Sequence, residues 1–76
     1  MPTYQITVVN IKYGDEFRTY RGQRPSSMVL DVPRNILDVK KETEKFYDLV
    51  ESFAYNTISR TFGSYVSFLQ VYLPLD

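Results

Sequence analysis

Residues 35–62 read NILDVKKETEKFYDLVESFAYNTISRTF, and this stretch decides the fold. Ile36, Val39, Thr43, Phe46, Val50, Phe53 and Ile58 recur mostly at spacings of three and four, which is the stripe of an amphipathic helix. Lys40, Lys41, Glu42, Glu44, Lys45, Asp48 and Glu51 form its wet face. Asn35 with Asp38 three residues on resembles an N-terminal cap. Gly63 stands where a helix ends, and Arg60 lies in the last turn, where a cation is favoured. A helix over the whole stretch would be roughly 40 Å long, more than so small a core needs. The regular part is therefore expected to begin near Asp38, with residues 33–37 as a lead-in turn.

On both sides of the helix the period changes to that of strands. Residues 3–13, TYQITVVNIKY, are rich in Val, Ile, Thr and Tyr, which suit a pleated, half-buried surface. Gly14 and Asp15 interrupt them, and residues 16–21, EFRTYR, resume, the pattern of a hairpin. A two-residue loop would oppose Lys12 to Phe17, whereas a three-residue loop would oppose Lys12 to Arg18, a like-charge pair that disfavours it. Residues 22–27 collect breakers and read as a loop carrying Arg24. Residues 28–32, MVLDV, suit a short extra strand that Pro33 stops.

After Gly63, residues 65–73 read as a strand ended by Pro74. Strict alternation puts Tyr65, Leu69, Val71 and Leu73 on one face and Val66, Phe68 and Tyr72 on the other. A strand apolar on both faces normally lies in the middle of a sheet covered twice. One helix covers one face only, so something further should cover the second. The expected fold is α+β in a single domain over residues 1–76: an antiparallel sheet of the N-terminal hairpin, the C-terminal strand and a short extra strand, with one long helix on one face.

Composition removes several functions. The chain has neither Cys nor His, so thiolate and imidazole metal ligands, disulfides and thiol or Ser-His nucleophiles are absent. The three glycines are isolated and build no phosphate cradle before a helix. Asp15 and Glu16 read as a solvated turn, and the helix acids interleave with lysines as a soluble face. No catalytic residue, cofactor or metal is expected. No apolar run nears the ~20 residues that span a bilayer, and no leader is apparent, so the expected setting is soluble and cytoplasmic.

Binding is the remaining class. Seven Tyr and five Phe exceed what one small core must hold, and Tyr with Arg is the pairing enriched at protein interfaces. The residues expected to meet a partner are Arg18, Tyr20, Arg21, Arg24, Tyr65, Val66, Phe68 and Tyr72. The leading expectation is a small protein-binding inhibitor, adaptor or regulatory accessory protein acting as a homodimer, the commonest closed oligomer. Such small non-enzymatic products are often encoded by viruses and mobile elements. The alternative is single-stranded nucleic-acid binding, in which Arg18, Arg21 and Arg24 contact phosphate beside the stacking rings of the hairpin. A net charge of +0 and a pI near 6.2 weigh against it.

Overall fold

The structure is a computed structural model that describes residues 4–14 and 24–74. Strand β1 runs Gln5–Tyr13, β2 Met28–Asp31 and β3 Val66–Tyr72. Between β2 and β3 lie a one-turn helix, α1, Arg34–Leu37, and the long helix α2, Thr43–Phe62. The three strands form an antiparallel sheet in the order β2-β1-β3 with α2 packed on it, the α+β architecture expected. The second arm of the expected hairpin, residues 16–21, and its register lie outside the described residues.

The helix presents Phe46, Val50, Ala54 and Ile58 to the sheet at steps of four, and all four are buried. Facing them are Ile6, Val8 and Ile11 of β1, Leu30 of β2, and Val66, Leu69 and Val71 of β3. Burying each of the larger aliphatic or Phe side chains contributes about 1.5–3 kcal/mol. Edge-to-face ring pairs mark the two ends of the layer. Tyr4 meets Phe46 at 5.9 Å, and Tyr13 meets Phe62 at 6.4 Å. The helix thus spans the sheet from its Tyr4 end to its Tyr13 end, which accounts for the helix being so long.

That match also explains where the helix begins. The regular helix starts at Thr43, later than the expected Asp38, and residues 38–42 make a turn whose bonds mostly join residues three apart. Ile36 lies ten positions before Phe46, so an unbroken helix would carry it about 15 Å beyond the Tyr4 end of the sheet. The break folds α1 back and buries Ile36 at 8% exposure. Asn35 consequently sits inside α1 and is not the cap; Glu42 precedes α2 and makes no side-chain capping bond. At the other end the expectation holds. Gly63 adopts φ 62°, and the Ser64 N–H donates to the Ser59 carbonyl at 3.1 Å, satisfying a terminal acceptor.

The C-terminal strand departs from the expected layout. Among the described residues β3 is an edge strand and β1 is central. Nor does β3 alternate strictly: Val66, Leu69 and Val71 are buried, whereas Ser67 and Phe68 are both exposed. On β1, Ile6, Val8 and Ile11 are buried and Asn10 is exposed. The pairing runs Val8↔Val71, Val9↔Gln70, Lys12↔Phe68 and Tyr13↔Val66. Asn10 is therefore an extra residue in β1 and Ser67 an extra one in β3, and the two bulges cancel. Asn10 takes φ 54°, a left-handed conformation that Asn tolerates better than most residues. Its side-chain amide donates to Gln70 Oε1, and the Ser67 hydroxyl donates to the Lys12 carbonyl at 3.1 Å.

Candidate functional site

The sheet face turned away from α2 carries most of the exposed large apolar side chains among the described residues. Around the bulges the phase of the strands places Tyr65, Phe68 and Tyr72 on this face, at 70%, 45% and 57% exposure. Cross-strand pairing arranges it in rows. Tyr72 lies opposite Thr7, which lies opposite Val29, itself 55% exposed. Gln70 lies opposite Val9, and Phe68 opposite Lys12. At one end Gln5 lies opposite Asp31, and its amide donates to the carboxylate at 2.9 Å.

Tyr65 is held at the other end by Gly14. The Gly14 N–H donates to the Tyr65 carbonyl at 2.7 Å, and a Cβ at Gly14 would overlap the Tyr65 ring. Glycine is thus what lets this ring lie over the strand. The face is an apolar band through Val29, Tyr72 and Phe68, with Asp31 near one end and Lys12 near the other.

Three of the expected partner residues, Tyr65, Phe68 and Tyr72, come together here. Val66 does not: at 2% exposure it belongs to the core, because the bulge at Ser67 reverses the phase that would have turned it outward. Arg24 stacks its guanidinium over the Tyr13 ring, 5.5 Å from the centroid, while the Tyr13 hydroxyl donates to the Pro25 carbonyl at 2.9 Å. With the bond from the Ile11 N–H to the Ser26 carbonyl, these contacts fasten the segment before β2 to β1. Burial raises the Tyr13 pKa above its ordinary value, and the Arg24 charge partly offsets this. Arg18, Tyr20 and Arg21 lie outside the described residues. Val29 was not among the expected site residues, although its place between Met28 and Leu30 on a strand puts it on the opposite face from them.

The edge of β3 that has no partner strand among the described residues carries a further contact. The bond from the Val32 N–H to the Tyr4 carbonyl, 2.8 Å, directs the even-numbered residues of β1 before the bulge toward β2. Thr7 and Val9 are then bonded toward Tyr72 and Gln70, which leaves the peptide groups of Val71 pointing outward. Tyr47, on α2, donates its hydroxyl to the Val71 carbonyl at 3.1 Å. Edge strands are commonly shielded from further pairing, and Tyr47 covers this one at Val71.

Among the described residues no three His, Cys, Asp or Glu side chains gather to hold a metal ion, and no buried side-chain polar atom lacks a partner. No helix among them is long and apolar enough to cross a membrane. No protein-family model, curated protein or solved structure matches the chain.

Proposed function

We propose that this chain is a non-enzymatic protein-binding module, acting in the cytoplasm as a homodimeric inhibitor, adaptor or regulatory accessory protein through the helix-free face of its sheet. The observation that carries this reading is the concentration of Tyr65, Phe68, Tyr72 and Val29, all exposed, on one face of a three-stranded sheet. Tyr and Phe are enriched at protein interfaces because rigid rings contribute large contact area at low entropic cost. The stacking of Arg24 on Tyr13 gives it a structural task, which weighs against the nucleic-acid alternative.

Sedimentation over a concentration series, with pull-down on the immobilised chain, tests the reading. Self-association or partner capture should be lost in Phe68→Asp and Tyr72→Asp while circular dichroism stays unchanged. A strict monomer that captures nothing refutes it. Binding of a labelled single-stranded oligonucleotide that collapses between ~50 and ~200 mM salt would replace it with the alternative.

A further inference from the structure

We infer that the occupant of the helix-free face is a second copy of this chain, laid face to face about a two-fold axis that crosses the strands between the Thr7–Tyr72 and Val9–Gln70 rows. The inference rests on the protein-binding reading of that face and adds the orientation in which the two copies meet. A two-fold interface must be complementary to itself. Asp31 and Lys12 stand near opposite ends of the band, on the Gln5 and Phe68 rows. Rotation about an axis between these ends reverses the strand direction and brings Lys12 of each copy toward Asp31 of the other. The same rotation sets the Thr7–Tyr72 row of each copy against the Val9–Gln70 row of the other. A band charged with one sign would repel its own image, whereas this one, among the described residues, carries Lys12 and Asp31, one of each sign. The whole chain, at +0, adds no long-range repulsion.

Edge-to-edge addition at β3 is obstructed by Tyr47 over Val71. Strands ~4.8 Å apart and rows spread over ~20 Å give a footprint well below the ~800 Å² per partner of a standard interface. The pair should accordingly form and dissociate reversibly with concentration.

Charge exchange tests the arrangement. Lys12→Glu and Asp31→Lys each place like charges together at both ends of the interface. Each should raise the dimer dissociation constant on the order of tenfold at low salt, and the double exchange should restore it. Both positions are exposed, and circular dichroism of each variant verifies that the monomer fold is kept. A dimer that Phe68→Asp dissolves but that ignores both exchanges overturns the two-fold pairing and leaves the face as a binding surface. A wild-type chain that stays monomeric also overturns the pairing, while the pull-down separately decides the protein-binding reading. A dimer unaffected by Phe68→Asp and Tyr72→Asp refutes both.

Discussion

Asn10 is the residue on which the sheet turns, and its replacement by Val gives the sharpest test of the fold. At φ 54° the Asn10 backbone occupies the left-handed region, where a side chain with a Cβ costs roughly 1–2 kcal/mol and a β-branched one lies at the upper end. The amide of Asn10 also donates to Gln70 Oε1 across the ladder, an exposed bond contributing at most about 0.5–1 kcal/mol. Asn already bears part of the backbone cost, so Asn10→Val should lose about 2 kcal/mol. A chain of 76 residues is expected to have roughly 4–11 kcal/mol in all. With a urea slope of about 1 kcal/mol/M for so small a domain, the midpoint should fall by about 2 M with the slope unchanged. Asn10→Gly relieves the backbone and loses only the side-chain bond, so it should remain within about 1 kcal/mol of wild type. Thr7→Val, exposed on the regular part of the same strand, should change stability by less than about 0.5 kcal/mol. Urea unfolding followed by circular dichroism reads all three. If Asn10→Val unfolds at the wild-type midpoint, Asn10 does not hold a left-handed bulge, and the phase reversal built on it is wrong.

Substitutions at three further positions probe the core, the helix end and the half-buried phenol of Tyr13. Ile58, fully buried on the sheet-facing side of α2, should cost about 2–5 kcal/mol when replaced by Ala, and a loss below 1 kcal/mol in chemical unfolding would contradict its placement. Gly63→Ala meets nothing within 4 Å, so its cost is the backbone's alone, about 1 kcal/mol; thermal melting should show Gly63→Asn less affected than Ala. Tyr13 has a folded-state pKa raised above 10.0 by burial, so the folded state holds its proton more tightly than the unfolded one. Its contribution is intact below about pH 10 and is lost as pH climbs through the folded-state value. Tyr13→Phe should make the alkaline fall of stability shallower, and an unchanged slope in a pH series of melts would remove Tyr13 as its source.

The helix, the first and last strands and the cap at Gly63 were legible because each depends on neighbours in sequence. What was not legible depends on distant partners. Ile36 and Val39 continue the helical stripe, and only the length of β1, which limits how far a helix can lie over the sheet, requires the break at residues 38–42. The two bulges misled for a related reason: one extra residue reverses the phase of everything beyond it. Yet they left a trace. Without Asn10, β1 reads QITVVIKY, and without Ser67, β3 reads VFLQVY; each then alternates, with every core residue on one side. A small polar residue that interrupts an otherwise regular alternation is thus better read as a bulge than as evidence of a second apolar face.

That correction alters the functional argument. Val66, Leu69 and Val71 belong to a single core face, so β3 need not lie in the middle of a doubly covered sheet. The aromatic surplus also shrinks, because Tyr4 with Phe46 and Tyr13 with Phe62 close the ends of the core. Among the described residues the exposed rings of the sheet are concentrated: Tyr65, Phe68 and Tyr72 all lie in or immediately beside β3. Without the extra residue at Ser67, the six residues of that strand would still show Phe68 and Tyr72 to solvent, but the start of the strand would lie differently against Gly14. The seat of Tyr65 is therefore the part of the proposed interface most dependent on the irregular ladder, and it ties the strain borne at Asn10 to the surface offered for binding.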